Sequence, residues 1–449
     1  MCLWHSPTFT TWGNYAVQSL RLIVVTPFLL NRFNETEIAA WYLFASLNFF
    51  GTILAQRFGL TFSRMFSFAM GGAQDLSPVL TGTSDLGDQR PNWSVFERAY
   101  GTLGFLNLLL GWFNVLAALG MAWYGLSNIL EGYGDKGVIW CAFALMQGTS
   151  LLSFMFQHFQ IALIGMNYVA LVNRWGVFFG LASCVSGALC LSVGGGLLLL
   201  VLAMQCILLC GVYMNWRLLH LVEAGRVIHF RSLKFDREVL YWAWQPIWKG
   251  FVGQFGLMGS VQLTALIYTS IGSKLEVASF LFALRMMQTI TQIAQAPFSS
   301  VQPLMARMVS TRDLSAFRLL VRQRIVYALS LTLAGVLSCA VALPDILGLI
   351  DAQIEFIPIS AWLIFGGLSI VVRLDVLLCA VSATGNQIVC YWEMAISAIL
   401  SAVLMLCFGD IFGIYAPILF STIPLILLLN FRPYYNARGI LGYGAHSIE

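Results

Sequence analysis

Apolar stretches of similar length follow one another along the whole chain, separated by short polar connections. A helix needs about 20 mostly apolar residues to cross about 30 Å of hydrocarbon. The pattern therefore predicts twelve membrane-spanning helices. Six of these spans precede the charged stretch "NWRLLHLVEAGRVIHFRSLKFDREV": 12–31, 38–60, 100–124, 138–164, 169–191 and 194–215. Six follow it: 240–270, 276–300, 322–343, 358–381, 389–408 and 411–430.

Composition excludes an ordinary water-soluble protein. The chain has 449 residues, of which 59% are hydrophobic and 10% charged, and its mean hydropathy is +0.81. Soluble domains carry about a quarter charged residues, so lipid must be the solvent for most of this surface. We expect an all-α polytopic membrane protein. The opening "MCLWHSPTFTTWGN" has no basic segment or small-residue cleavage site, so the first span is expected to remain in the protein.

The basic residues are distributed unevenly among the connections. Sixteen Lys and Arg residues lie in the connections that follow spans 2, 4, 6, 8 and 12 or in the first two turns of the span after them. Those that follow spans 1, 3, 7 and 9 hold three, namely Arg32, Lys136 and Lys274. By the positive-inside rule, the first group and both termini are predicted to be cytoplasmic. The connections on the other side are short, which leaves no room for an external catalytic domain.

A segment of the second span recurs 239 residues later, in the eighth span. Glu37-Ile-Ala39 corresponds to Glu276-Val-Ala278, and T-x-x-A-Q occurs at 52–56 and 291–295. R-M-[FV]-S follows at 64–67 and, after four extra residues, at 307–310. Both copies run in the same direction across the membrane. The repeat predicts two six-helix lobes, 1–215 and 240–449, joined by a basic cytoplasmic linker, 216–239. The lobes would be related by a pseudo-twofold axis along the membrane normal and would surround a central cavity.

Polar side chains form stripes on four of the predicted spans. Residues three, four or seven apart share one face of a helix. The stripes are Asn14, Gln18 and Arg21 in span 1; Asn48, Thr52 and Gln56 in span 2; Gln245 and Lys249 in span 7; and Arg285, Gln288, Gln292 and Gln295 in span 8.

Among the other chemistry-bearing residues, the five His and ten Cys have no ligand-like spacing, so no metal or cofactor is expected.

Three cations are predicted to lie deep in the membrane. Arg21, Lys249 and Arg285 each lie nine residues into a span, which is about 14 Å at the helical rise. Embedded charges cost a few kcal/mol or more and normally face a bundle interior or a wet cavity. Asp375 is the carboxylate well inside a span, with Arg373 beside it. An excess of cations indicates a cavity for an anion. Alternatively, each cation bonds neighbouring helices and only stabilises the bundle.

The whole-chain pattern resembles the multidrug/oligosaccharidyl-lipid/polysaccharide (MOP) superfamily, and within it the Wzx-like polysaccharide flippases. The resemblance lies in the paired halves, in "EIAAWYLFASLNFFGTILAQ" with the following "RFGLTFSRMFS", and in their second-half counterparts. It implies two lobes around a cavity, alternating access, and no enzymatic activity. The implied cargo is an undecaprenyl-diphosphate-linked oligosaccharide, flipped across the bacterial inner membrane for surface polysaccharide synthesis.

That cargo matches the polar stripes, because Arg and Lys can neutralise a diphosphate. The predicted phosphate ligands are Arg21, Lys249 and Arg285, and the other cavity residues are Asn14, Gln18, Gln56, Gln245, Gln288, Gln292 and Gln295. The expected partners are the lipid-linked substrate, membrane lipids, a polysaccharide polymerase and glycosyltransferases, and not nucleic acid.

Three alternatives remain open at this point. A cation-coupled drug exporter of the same superfamily would be expected to carry an acid in the first span, where this chain has Arg21. A major-facilitator transporter would need a charged motif after span 2, which "SRMFSFAMGGAQDLSPVL" does not match. A polysaccharide polymerase or ligase would need a large external loop, and it would leave the repeat unexplained.

Overall fold

The computed structural model is helical wherever it has regular secondary structure. It describes residues 3–17, 20, 33, 35–73, 90–129, 134–229, 234–272, 274–311, 313–349, 356–384, 388–430 and 432–434. No strand occurs in these ranges. The all-α prediction is therefore confirmed.

Thirteen α-helices follow one another in the described part of the chain. In the first half they are α1 (7–17), α2 (Glu35–Met70), α3 (Trp93–Ile129), α4 (Lys136–Gly165), α5 (Val169–Ser192) and α6 (Leu197–Leu221). In the second half they are α7 (Arg237–Ile271), α8 (Lys274–Ser299), α9 (Gln302–Ser310), α10 (Leu314–Leu349), α11 (Ile359–Thr384), α12 (Tyr391–Phe412) and α13 (Tyr415–Leu429). Short 3-10 helices cover Leu3–His5 and Glu223–His229.

Seven helices within the described residues are long and apolar enough to cross a membrane: α3, α4, α5, α6, α10, α11 and α12. The chain is therefore a multi-pass membrane protein. Helices α2, α7 and α8 are also of spanning length, with 36, 35 and 26 residues. A polar stripe lies on each of these three helices and lowers its hydropathy. The first predicted span lies largely outside the described residues, and α13 is an apolar helix of 15 residues.

The eighth predicted span was expected to run to residue 300, with a polar connection beyond it. The structure instead ends α8 at Ser299 and begins a further helix, α9, at Gln302. Pro303 lies in the first turn of α9, where its missing N–H costs nothing. Within a continuous helix, the ring of Pro303 would clash with the carbonyl four residues earlier. The predicted end of the span is therefore within one residue of the end of α8, and the connection beyond it contains a further helix, α9, that was not predicted.

The described residues up to Ala243 form one compact unit, and those from Trp244 onwards form a second. In the first unit α2 packs on α3 and α4, and α4 also packs on α6. A core around Phe44, Phe143, Met146 and Leu200 joins these helices. The predicted lobes, 1–215 and 240–449, and the linker between them stay a prediction, although α6 and the 3-10 helix Glu223–His229 give part of 216–239 a helical structure.

The end of the charged connection is bound to α3 within the first unit. Arg98 Nε donates to Asp236 Oδ2 at 2.6 Å, and Arg98 Nη2 donates to Glu238. The backbone N–H of Asp236 also donates to Thr102 Oγ1 at 3.1 Å. The hydrogen bond from Arg98 holds the pKa of Asp236 below its usual range. These bonds hold the start of α7 on α3.

In the second unit α8 packs on α10, α10 on α11, and α12 on α13. One core surrounds the fully buried Trp362, whose Nε1 donates to the carbonyl of Val336 at 2.9 Å. A second core lies below α9, where Val301, Met305 and Val309 pack with Phe317 and the residues around it. This second core seats α9 on α10 and α11.

Candidate functional site

The predicted site residues are divided between the two units. Gln18 and Arg21 lie outside the described residues. Asn14 and Gln56 belong to the first unit. The remaining six belong to the second: Gln245, Lys249, Arg285, Gln288, Gln292 and Gln295. We describe each group within its own unit.

Asn14 lies where α1 packs against α5. A Cβ atom built on Gly176 would be 3.5 Å from Asn14 Oδ1. One turn earlier, Asn173 Nδ2 donates to Thr11 Oγ1 at 2.7 Å, and one turn later Val17 fits against Gly180. Asn14 is thus half-buried in a contact between two helices. Gln56, on α2, is exposed.

Helix α8 has one face packed in the core and a polar face outside it. Phe280, Ala283, Met287 and Ala294 are buried. On the polar face, Arg285 and Gln292 are exposed and Gln288 is half-buried. Arg285 Nη1 donates to Gln288 Oε1 at 3.3 Å, the contact expected of residues three apart. The stripe therefore offers a guanidinium group and amides that the packing of α8 does not use.

Gln295, the last member of the stripe, is occupied by a cation from another helix. Arg373 Nη2, on α11, donates to Gln295 Oε1 at 2.7 Å and to the carbonyl of Thr291 at 2.5 Å. The sequence placed Arg373 two residues from Asp375 and left that pairing open. In the structure this guanidinium bonds α8, while Asp375 is buried. Sequence reasoning named Arg373 but did not include it among the site residues.

Lys249 lies beside the start of α12. This neighbour shows how far along the helices of the second unit Lys249 is placed. Helices α7 and α12 run in parallel and meet at Gly253, Gly256 and Gly259. A Cβ atom on Gly256 would be 2.4 Å from the backbone of Met394, so the two backbones are in contact. A Cβ on Gly253 would be 3.4 Å from Tyr391 Cβ. Small residues permit this close approach between membrane helices.

This contact corrects the predicted depth of Lys249. Tyr391 is the first residue of α12 and of its apolar span. Gly253 is level with Tyr391, and Lys249 lies one turn nearer the start of α7. Lys249 is therefore near the end of the membrane span and not at its middle. The prediction counted residues along α7 alone, whereas the level of Lys249 depends on where the neighbouring helix α12 begins.

Lys249 has two neutral neighbours. Its Nζ donates to Gln245 Oε1 at 3.4 Å, a bond between residues four apart on one helix face. The same nitrogen lies 5.5 Å from the centre of the Tyr391 ring, within cation–π range. Among the described residues, no carboxylate forms an ion pair with it.

Buried polar side chains of α3 and α4 form a second group that sequence reasoning missed. Asn107, Asn114, Gln147 and His158 are each at most 7% exposed. Each has at least one side-chain nitrogen or oxygen atom with no hydrogen-bond partner among the described residues. His158 also packs edge-on against Tyr100, with ring centres 5.0 Å apart. The signal was present in the sequence, since Tyr100, Asn107 and Asn114 recur every seven residues and so share one face of α3.

The exposed cations are suited to bind an anion rather than a metal. Arg presents several N–H donors in a fixed planar arrangement that matches phosphate, and Lys presents a compact charge. Metal binding would need a cluster of oxygen, nitrogen or sulfur ligands. Within the described residues, no group of three His, Cys, Asp or Glu side chains has that arrangement.

Comparison with known proteins gives a result only at the level of structure. No protein-family model matches the chain, and no curated protein is similar to it in sequence. Three solved structures illustrate the structural likeness. A mutant MATE transporter is 15% identical, with a TM-score of 0.72 and 98% of each chain covered. A multidrug resistance MATE family transporter of the MOP superfamily, in an outward-facing conformation, is 12% identical with a TM-score of 0.70, covering 98% of this chain and 96% of that one.

The third structure is a MOP superfamily transporter from Pyrococcus furiosus. It is 12% identical, with a TM-score of 0.72, and covers 97% of this chain and 98% of that one. It is described as having a binding pocket of reversed polarity that suggests a different function. The chain therefore has the fold of MATE transporters of the MOP superfamily. At 12–15% identity, this likeness extends to the fold alone.

Proposed function

We propose that this protein is a membrane transporter that flips an undecaprenyl-diphosphate-linked oligosaccharide across the bacterial inner membrane. The observation that carries the proposal is the polar face of α8. Arg285 is exposed there, and its guanidinium donates to the neutral Gln288 of the same helix. The transporter fold provides the architecture for moving a cargo across the membrane. The positive charge of Arg285 provides the preference for an anionic cargo.

The proposed ligands for the diphosphate are Arg285, Arg21 and Lys249. Charge-assisted bonds to phosphate oxygen atoms are about twice as strong as neutral ones. Asn14, Gln18, Gln56, Gln245, Gln288 and Gln292 would bond phosphate oxygens or sugar hydroxyls. Gln295 is proposed with them, although its oxygen already accepts a hydrogen bond from Arg373. Lys249, near the end of the span, is placed to meet the diphosphate at an earlier stage than Arg285.

The cellular setting is part of the same proposal. The charge distribution supports a cytoplasmic location for both termini. The lipid-linked substrate would come from glycosyltransferases and would pass to a polysaccharide polymerase after transfer. Reporter fusions at Gly72 and Glu223 should report the cytoplasm, and fusions at Asp135 and Glu276 should report the other side.

A drug exporter of the same superfamily is the second candidate, because a multidrug resistance MATE transporter is among the proteins of similar structure. Such an exporter would move cationic drugs, which the exposed Arg285 would repel. A shift in drug susceptibility that depends on the protein, with unchanged surface polysaccharide, would favour the exporter.

The test is transfer in cells. Arg285→Gln should insert normally, because removing an embedded charge does not make insertion harder. It should lower outer-leaflet lipid-linked sugar or surface polysaccharide by roughly tenfold or more, since a bond to a charged group contributes about 1.5–3 kcal/mol. Arg285→Lys should be milder, because it keeps the charge but loses the planar donor arrangement.

The matched control is Arg322→Gln, which removes an exposed arginine from α10 outside the proposed site. Protein levels must be equal across the variants. If a combined Arg21→Gln, Lys249→Gln and Arg285→Gln variant accumulates normally and transfers at the parental rate, the proposed role of these cations is wrong.

A further inference from the structure

A group of aromatic rings surrounds Lys249 in the second unit. The Trp248 and Tyr391 rings meet edge-on with centres 5.2 Å apart, and the Tyr391 and Trp392 rings are 5.6 Å apart. Trp248 also approaches Trp392 at 6.4 Å. We call Gln245, Trp248, Lys249, Tyr391 and Trp392 the Lys249 patch. It brings the first third of α7 together with the first turn of α12.

The patch is at the level where the apolar span of α12 begins. That span starts at Tyr391 itself. On α7, Tyr241 and Trp244 lie one to two turns nearer the helix start and are 66% and 54% exposed, and Trp392 on α12 is 55% exposed. Trp and Tyr are enriched where hydrocarbon meets the headgroup layer, because one end of the ring system is apolar and the other forms hydrogen bonds. The ring cluster thus lies where the apolar span of α12 begins, and its composition is typical of a membrane boundary.

The charge of Lys249 remains available at this level. Its two neighbours, Gln245 and the Tyr391 ring, are neutral. The acid nearest in sequence on α12, Glu393, is engaged by Arg432, whose Nη1 donates to Glu393 Oε1 at 2.6 Å. An ammonium group at the headgroup level, flanked by an amide and rings, matches the phosphate of a phospholipid.

We propose that the Lys249 patch binds the phosphate headgroup of an anionic phospholipid at the membrane boundary. The Lys249 ammonium meets the phosphate, Gln245 Nε2 donates to one of its oxygen atoms, and Trp248 and Trp392 lie against the glycerol region. The patch is separate from the polar face of α8. It shares Gln245 and Lys249 with the ligands proposed for the cargo, so lipid binding and not transfer is the measurement that tests it.

The test is native mass spectrometry of the purified full-length protein titrated with phosphatidylglycerol or phosphatidylcholine. The parental protein should retain phosphatidylglycerol in preference to phosphatidylcholine. Lys249→Gln should weaken phosphatidylglycerol binding by about tenfold, as expected for the loss of one charge-assisted bond. Lys249→Arg should bind like the parent, which also shows that a change at this position is tolerated. Lys136→Gln, on the exposed first turn of α4, is the matched control and should have no effect.

Two outcomes would overturn the inference. One is equal retention of phosphatidylglycerol by the parental protein and Lys249→Gln. The other is displacement of the lipid by millimolar inorganic phosphate, which would indicate a free-anion site. No transfer is measured here, so normal transfer by Arg285→Gln would remove the proposed function and leave this result unaffected. Conversely, loss of transfer without loss of lipid binding in Lys249→Gln would remove this inference alone.

Discussion

The two copies of the repeated segment differ in how the helix continues past the shared T-x-x-A-Q element. In the first half, one unbroken helix, α2, runs from Glu35 to Met70. In the second half, the same pattern is divided between α8 and α9, with a break at Ser300 and Val301. Four extra residues and Pro303 account for the break. A repeat in sequence therefore preserves the order of the elements but not their continuity.

The two copies also use different contacts to hold their C-terminal ends. In the first, Ser67 Oγ donates to the carbonyl of Gly165 on α4 at 2.9 Å. In the second, Val301 and Met305 fill an apolar core with Phe317 of α10. The first copy depends on a close backbone approach and a hydrogen bond, and the second depends on burial of side chains. The comparison shows that helices at corresponding places in the sequence can be held in position by unrelated interactions.

The largest expected effect comes from breaking the close approach in the first copy. A Cβ atom on Gly165 would lie 2.5 Å from Phe66 Cβ and 2.9 Å from the carbonyl of Ser63. Overpacking of this kind costs about 1–3 kcal/mol, so Gly165→Ala should lower the thermal unfolding midpoint in detergent. Gly148→Ala on the same helix meets nothing within 4 Å. It should be neutral or stabilising by about 0.5–1 kcal/mol. A parental midpoint for Gly165→Ala would show that α2 is not seated there.

A comparable but more local effect should distinguish Gln295 from Gln56, the glutamines that end the two T-x-x-A-Q elements. Gln295→Leu removes one hydrogen-bond acceptor of the charged Arg373 side chain, at a cost of about 1.5–3 kcal/mol. Gln56→Leu, in the first copy, changes an exposed side chain and should stay within about 0.5 kcal/mol. Denaturant unfolding of the two variants measures the difference. Equal losses would mean that the Arg373 contact does not separate the two copies.

The smallest effect should come from Pro303→Ala. This variant tests whether Pro303 is needed for the break between α8 and α9. Removing a proline from a compatible position costs about 0.4–1 kcal/mol through the unfolded chain. We expect the break to remain, because the Phe317 core holds α9 in place. Spin labels at positions 292 and 307 should keep the parental distance. A shift to the distance of one continuous helix, about 22 Å, would show that the proline alone breaks it.

Some side-chain pairs of the candidate site followed from spacing within a helix. The contacts of Arg285 with Gln288 and of Lys249 with Gln245 join residues three and four apart, as predicted. The partner of Gln295 could not be predicted in this way, because Arg373 reaches it from a helix 78 residues away. The level of Lys249 was wrong for a related reason, since it depends on where α12 begins beside α7.

By itself, the sequence determined that this protein is helical, crosses the membrane several times, and carries polar stripes on particular helix faces. These properties follow from composition and from the period of the helix, which act over one or two turns. The tertiary structure alone decided what holds α9 in place, that Arg373 joins α8, and that Lys249 lies beside the start of α12. Those outcomes depend on which side chains meet between distant helices, and hydrophobic periodicity does not encode the partner of a helix or its level.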